Sequence, residues 1–443
     1  MFKTFRPGGI HPSENKLTAG SEIRELPIPD QVSIPLNQHI GASPRILVEK
    51  GDPVKVGQLI AQGEGFISSS IHASVSGKVL KVEPVVDMSG YKRKAITIKV
   101  EGDEWMEQID TSAELVREIA LERHEIVRKI NESGIVGMGG AAFPSHVKLT
   151  LPRGENAEYL IVNGAECEPY LTSDHVLMLE KAEQIMVGAM IMMKALDVEK
   201  AIIGIEKNKP DAIVHMSALS EYYPGIEVQG LKVKYPQGGE NQLIKALIGR
   251  EVPSGGLPIH VGVVVFNVGT LFAAYQAIQK HKPLFERVVT VTGKNLAAPG
   301  NFMVRIGTPI SALIEATGGL PENTGKIISG GPMMGKALNS LEVPVIKGTS
   351  GITIMPDTES RRREIQHCIR CSKCITVCPM GLEPYLLMAM GERELFERMG
   401  EEQTMDCIEC GSCSYICPAN RPLLDYIRLG KAEINKIRRA RKN

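Results

Sequence analysis

HCIRCSKCITVCPM (His367–Met380) and DCIECGSCSYICPA (Asp406–Ala419) hold eight of the nine cysteines in this chain. Both follow one spacing, Cys-x2-Cys-x2-Cys-x3-Cys-Pro. The first run is Cys368, Cys371, Cys374 and Cys378 with Pro379, and the second is Cys407, Cys410, Cys413 and Cys417 with Pro418. Zinc ribbons are built from paired Cys-x2-Cys units that close a tetrahedron. They have no use for a third cysteine two residues on, a fourth after three more, and a proline, all repeated. A pair of [4Fe–4S] clusters needs that set: three thiolates of a run wrap one cubane, and the fourth reaches its neighbour. Cys368, Cys371, Cys374 and Cys417 are therefore expected on one cluster, and Cys378, Cys407, Cys410 and Cys413 on the other. The proline after each fourth cysteine turns the chain away. Between the runs, Gly381–Gln403 is helix-prone and should add a helix without changing the ligation.

Composition bounds the rest. A chain of 443 residues exceeds what one core organises, so several domains are expected. Lys+Arg and Asp+Glu are both 51, and aromatics are only 5%, so neither bulk charge nor a base-stacking surface points to nucleic acid. The N-terminal stretch MFKTFRPGGIHPSENK has no apolar core of a secretory signal. The most apolar long stretch, Gly256–Ile278, is interrupted by Pro258, His260 and Asn267 and reads as a buried strand followed by a helix, not a membrane span. Only Cys167 lies outside the cysteine runs, which suits a reducing cytosol better than a secreted disulfide framework.

Working back from the cysteines, the charged run ESRRRE (Glu359–Glu364) leads into a helical, ferredoxin-type region expected over residues 358–430, and a basic, helix-prone tail follows at 431–443. Residues 285–350 contain two strands, VVTVTG and FMVRIG, and a short helix with Thr308 as cap and Pro309 at its first turn, ending at Gly318-Gly319, a β-grasp-like pattern. Residues 112–284 alternate strand and helix. YLIVNG (Tyr159–Gly164), AIIGIE (Ala201–Glu206) and VGVVVFNVG (Val261–Gly269) are buried strands; Asp174–Leu196, Pro210–Tyr222 and Leu271–Lys280 are helices. That alternation implies a parallel sheet covered on both faces. An amphipathic helix is expected over 112–130, with Leu115, Ile119, Ile126, Val127 and Ile130 on its apolar face. Residues 1–105 read as short strands, with a hairpin centred on Ser76-Gly77. Their two halves resemble a biotinyl/lipoyl-type barrel-sandwich, but Gly57–Gly77 has no lysine to carry a swinging arm, so a docking or structural domain is expected.

Polar turns gather where such a sheet binds ligands, at the C-terminal ends of its strands. VNGAECEPY (Val162–Tyr170) brings Asn163, Glu166 and Glu168; YPQGGENQL (Tyr235–Leu243) brings Glu240; FNVGTL (Phe266–Leu271) brings Asn267. The glycine-rich loop GIVGMGGAAFP (Gly134–Pro144) precedes a helix-prone segment with Lys148. It is not a standard dinucleotide fingerprint, because no βαβ unit with a downstream acid frames it.

In this order, the segments resemble the flavin-carrying, NADH-oxidising subunit of respiratory complex I. They are still more similar to the C subunits of the Rnf ion-translocating electron-transport complexes, over nearly the whole chain. The resemblance implies a multidomain α/β protein. It has a barrel-sandwich domain (1–105), a Rossmann-like FMN/NADH domain (112–284), a β-grasp (SLBB-like) domain (285–350) and a two-cluster ferredoxin-type domain (358–430). It further implies that Gly137, Gly139 and Gly140 approach non-covalent FMN, that Phe143 sits beside the nucleotide, and that Lys148 lies near the flavin phosphate. Asn163, Glu166, Glu168, Glu240 and Asn267 match polar positions around flavin and nicotinamide. Two residues depart from the complex I pattern: Met138 replaces an arginine, and Asn241 a second glutamate. Cys167, His367 and the Met333-Met334 pair receive no functional role, although the family's counterpart of the methionine loop lies near the cluster domain.

The expected activity is electron transfer between NADH, FMN, two [4Fe–4S] clusters and partner subunits, in either direction. The expected site is the cytoplasmic face of the membrane, held peripherally by those subunits. Two other proteins would share these features: a soluble flavin/iron–sulfur reductase of the cobalamin reductase type, and a wire subunit that has lost its flavin.

Overall fold

The computed structural model describes residues 1–441; the last two residues of the expected basic tail lie outside the described residues. Eight short strands open the chain: β1 (Ile23–Glu25), β2 (Gln31–Pro35), β3 (Arg45–Ile46), β4 (Pro53–Val54), β5 (Leu59–Gln62), β6 (Ile71–His72), β7 (Gly77–Val86) and β8 (Lys92–Val100). They form two sheets, β2-β8-β7-β4 and β3-β5-β6, with β1 leaving to join a sheet further on. Val32, Ile34, Ile60, Ile71, Val79, Ile96 and Ile98 fill the space between these sheets. The hairpin expected at Ser76-Gly77 does not form. β6 pairs with β5, and β7 with β4 and β8, so Ala73–Ser76 carries the chain from one sheet to the other. Ser74 and Ser76 are buried there and use their hydroxyls on the Ile306 and Glu101 carbonyls, which replaces ladder bonds.

The central region contains α1 (Arg123–Glu132), α2 (Ser145–Leu149), β9 (Tyr159–Gly164), α3 (Ser173–Glu180), α4 (Ala182–Leu196), β10 (Ala201–Glu206), α5 (Pro210–Ser220), β11 (Ile226–Leu231), α6 (Glu240–Ile248), β12 (Val263–Asn267) and α7 (Val268–Gln279). The sheet order is β11-β10-β9-β12, all parallel. Alternate side chains serve opposite faces. Leu160 and Val162 pack with α3, α4 and α7, while Ile161 packs with Leu243, Ile244 and Leu247 of α6 and with Phe5.

Two expected helices are shorter. Residues 112–122 are not helical; α1 starts at Arg123, where Glu122 and Glu125 form a reciprocal cap. The upstream segment crosses α4 and α7 in irregular form because side chains satisfy its backbone. Val116 N donates to Tyr275 Oη at 3.2 Å, and the Glu118 and Ile119 carbonyls accept from Gln279 and Lys194. The helix expected over Asp174–Leu196 breaks at Lys181, after Glu180 turns its carboxylate to Ile23 N of β1.

β13 (Glu286–Thr292), β14 (Gly300–Arg305), α8 (Ile310–Ala316), β15 (Thr324–Ser329), β16 (Lys336–Ala337) and β17 (Gly351–Pro356) follow. The sheet order β1-β14-β13-β17-β15-β16 draws on strands from both sides of residues 285–350. Pro309 precedes α8 as its cap instead of opening it, and Thr308 makes no capping bond. Val343 and Leu341 carbonyls take the first N–H groups of α8. The last region is helical: α9 (Asp357–Ser360), α10 (Lys373–Thr376), α11 (Pro384–Gly391), α12 (Phe396–Glu401), α13 (Ser412–Ile416) and α14 (Leu423–Ala440). Two α-helices, not one, lie between the cysteine runs, and the basic tail as far as Ala440 is the second half of α14. Among the described residues no helix is long and apolar enough to cross a membrane.

Candidate functional site

β9 and β12 run side by side with Asn163 paired to Asn267, so both amides sit at the C-terminal edge of the sheet. Each amide holds a loop. Asn163 Nδ2 donates to Gly238 O at 2.9 Å, and its Oδ1 accepts from Ala165 N. Asn267 Oδ1 caps α7 through Gly269 N at 2.9 Å, and its Nδ2 donates to Asp174 at 2.7 Å. Lys148, on the single turn α2, donates to Glu240 at 2.7 Å and to Val265 O at 3.0 Å. Glu240 is the first residue of α6, where a carboxylate suits the helix dipole. The glycine loop is fastened to the same edge by Met138 N, which donates to Thr270 Oγ1 at 3.0 Å. Gly139 and Gly140 are exposed. A Cβ on Gly139 would lie 3.4 Å from Asn267, whereas Gly140, at φ +108°, has no other group within 4 Å of such an atom. The loop is therefore open above Gly140, leaving room for a flat group against the backbone. Gly137 and Phe143 are half-buried and hydrogen-bonded to each other within the loop.

Glu166 and Glu168 point in different directions. Glu166 accepts from Asp174 N at 2.7 Å, His175 N and Ser173 Oγ, holding the start of α3. Glu168 accepts from Met334 N at 2.7 Å and Met333 N at 3.2 Å, joining this loop to the turn between β15 and β16. Burial pushes the Glu168 carboxyl up to about 7, against the pull of those two N–H groups. Beneath the loop, Lys16 donates to the Glu166, Glu168 and Leu171 carbonyls. Burial, and then the Lys209 ammonium, pull Lys16 down to about 8. Asp174 is raised by burial and by Glu166, and lines a small cavity with Met138, Gly269 and Arg287. Sequence patterns flagged none of Lys16, Asp174, Arg287 or Tyr235.

Six of the eight cysteine thiols of the two runs have identifiable cysteine neighbours. Burial pushes Cys407 and Cys413 up to about 11 and 12, and the thiols near enough to add to this are drawn from Cys378, Cys407 and Cys410. Cys374 instead feels Cys417. Cys378, Cys410 and Cys413 are buried, whereas Cys368 and Cys371 are exposed. No three side chains converge tightly enough for a single metal ion among the described residues. The inner set lies against the rest of the molecule. Tyr235 Oη donates to Cys410 O at 2.8 Å, and Gln242 reaches Pro379 O. Gly8, at φ +73°, approaches so closely that a Cβ would lie 2.4 Å from Cys378 O. Lys431 of α14 donates to Cys407 O and pairs with Glu409. Cys167 is the acceptor for Gly238 N and packs beside Tyr235, Met333 and Cys410. His367 is exposed.

Family models match along the chain: the RnfC barrel sandwich hybrid domain at residues 3–103, the Nuo51 FMN-binding domain at 130–276, the SLBB domain at 288–337 and the 4Fe-4S dicluster domain at 361–418. The C subunit of the proton-translocating ferredoxin:NAD(+) oxidoreductase complex of Clostridium ljungdahlii is 48% identical over 438 residues, 98% of this chain and 94% of that one. Its Na(+)-translocating counterpart from Acetobacterium woodii is 42% identical, covering 97% of both chains. This chain belongs to the RnfC family of ion-translocating oxidoreductase subunits. An RnfC relative from Rhodobacter capsulatus, from an ion-translocating oxidoreductase complex, is 41% identical over 98% of this chain and 84% of its own. A chain of an NAD+-reducing [NiFe]-hydrogenase shares the fold, with a TM-score of 0.50 at 19% identity, over 74% of this chain and 68% of that one.

Like the family, the chain carries an FMN-binding domain and a dicluster domain, so its cofactors are FMN and two [4Fe–4S] clusters. Its residues fit them. The donor set is eight free thiols in two ferredoxin-type runs, and the glycine loop is open beside polar strand ends.

Proposed function

We propose that this RnfC-family protein exchanges electrons with NADH at the edge formed by Gly137, Gly139, Gly140, Phe143, Lys148, Asn163, Glu240 and Asn267. It passes them to partner subunits of a membrane-bound, ion-translocating complex, from the cytoplasmic face. The observation that carries the reading is the loop Tyr235–Glu240. One end holds the Cys410 carbonyl, and the other holds the Lys148–Glu240 pair. The dinucleotide-side edge and the inner thiols thus share six residues of backbone. Held at this edge, FMN would supply the coupling between a two-electron hydride donor and one-electron carriers.

The chain's own residues do the positioning. Gly139 and Gly140 leave the backbone bare for the ring. Lys148 supplies a cation to an anionic group, trading its bond to Glu240. The asparagines keep the loops rigid, and Glu166 and Glu168 hold the edge from behind. Cys378, Cys407, Cys410 and Cys413 hold the cluster nearer the flavin domain, and Cys368, Cys371, Cys374 and Cys417 the cluster at the surface.

The test is anaerobic purification, flavin analysis and NADH titration of wild type, Gly139→Val and Glu240→Gln. Gly139→Val should lose most of its flavin. Glu240→Gln should keep both clusters and the flavin while NADH oxidation changes. Normal flavin content in the first variant and unchanged kinetics in the second would return these residues to structural roles.

A further inference from the structure

The barrel-sandwich region puts an apolar tip beside the glycine loop. Phe66 and Ile67, at the tip of the loop between β5 and β6, are 58% and 40% exposed, and Ile40 in the neighbouring turn is 55% exposed. The two segments are joined: Ala42 N donates to Ile67 O at 2.9 Å. Both are tied to the glycine loop and α2. Ile40 N donates to Ala142 O, and His146 Nε2 donates to Phe66 O at 2.9 Å, with the two rings edge-on at 6.3 Å. Underneath, the wholly buried Lys347 donates to Ser70 O and to Gly134 O, both at 2.7 Å. One ammonium thereby fixes the base of the tip to the first residue of the glycine loop.

Singly scattered exposed apolar side chains need no explanation, whereas neighbouring ones that form a patch mark an interaction or ligand site. The one charged side chain on this loop, Glu64, is paired with Arg45 at 2.6 Å. The exposed tip of this loop is therefore apolar and carries no unpaired charge. It suits a planar heteroaromatic ring and offers nothing to a phosphate. His146 faces this tip and Lys148 faces Glu240, two residues apart on one helical turn.

We infer that Phe66, with Ile40 and Ile67 beside it, is the platform for the adenine ring of the dinucleotide, so that the barrel-sandwich domain supplies one wall of the NADH site. The inference rests on the NADH reading above. Anchoring in advance spares the ligand the cost of ordering the loop.

The test uses the full chain carrying FMN and both clusters. Phe66→Ala should raise KM for NADH roughly tenfold, the scale of losing one base–aromatic stack, with kcat unchanged. Phe66→Trp should restore it. Reduced nicotinamide mononucleotide, which lacks adenine, should be oxidised equally by wild type and Phe66→Ala. Calorimetry with ADP-ribose should show the same roughly tenfold loss and does not depend on turnover. If wild type ignores NADH, the functional reading fails; if ADP-ribose binds both proteins equally, this inference fails whatever the turnover shows. Equal effects on both nucleotides would also overturn it. So would unchanged NADH kinetics with lost assembly onto partner subunits, which would make the tip a protein contact.

Discussion

The two cysteine runs share one spacing, but their thiols do not share one environment. The inner set is covered by residues from elsewhere in the chain: Tyr235 from the flavin domain, Met333 beside Gly411, and Gly8 against Cys378. The outer set opens to solvent at Cys368 and Cys371, beside exposed Ile369. Ligand spacing therefore decides which cluster forms, and domain docking decides what surrounds it. Hydrogen bonding and solvent exposure are among the levers that set a cluster's potential, so two equal motifs become two unequal electron carriers.

The largest effect should come from breaking one neighbourhood. Cys378→Ala should remove the same low-temperature EPR signal as Cys410→Ala, or convert it to a three-iron signal, and leave the signal that Cys371→Ala removes. A match between Cys378→Ala and Cys371→Ala would mean that each run holds its own cluster, and the comparison would collapse.

Next comes the clasp behind the inner set. The Glu168 carboxyl stands at about 7 in the fold against an ordinary 4.5. The folded state therefore holds the proton more tightly, and stability falls as pH rises from about 4.5 to about 7. Relative to Glu168→Gln, wild type should gain up to about 3 kcal/mol between pH 8 and pH 4.5. Denaturant titrations of both proteins at the two pH values measure this, and a pH-independent difference would exclude it.

A smaller contrast tests single tyrosines. Tyr235→Phe orphans the Cys410 carbonyl and should cost about 1–2 kcal/mol. Tyr415→Phe, on an exposed ring in the second run, should cost less than about 0.5 kcal/mol. Equal losses in chemical denaturation would erase the distinction between buried and open sides. Smallest of all, Arg362→Ala removes an exposed pair with Asp425 and should shift stability by only a few tenths of a kcal/mol.

What could be read from the sequence was local. The cysteine runs needed no partner to be recognised, and Tyr159–Gly164 and Ala201–Glu206 are uninterrupted buried strands with the expected ends. The strand Ile226–Leu231 escaped notice because its edge position leaves IEVQGL without a clear apolar pattern. Residues 112–122 have helical periodicity, but Tyr275, Gln279 and Lys194 satisfy their backbone in another conformation. In the candidate site, the glycine loop and strand ends stood out by composition. Lys16, Lys347 and Tyr235 did not, because each acts on groups more than a hundred positions away. Glu166 and Glu168 looked equivalent in the sequence; only the fold shows that one holds a helix and the other a distant turn.

The segment Lys3–Lys16 has a temporal consequence. It bridges to Leu231 and Tyr235, its Gly9 N–H rests on Val377 O, and Lys16 lies under the 166–171 carbonyls. A ribosome makes these residues well before their final partners, which follow hundreds of positions later. Such contacts are the slowest kind to close. Most of the segment can be tied down once residue 235 has been made, but the Gly9 contact has no partner until the first cysteine run follows, so that part of the strap is sealed later than the rest.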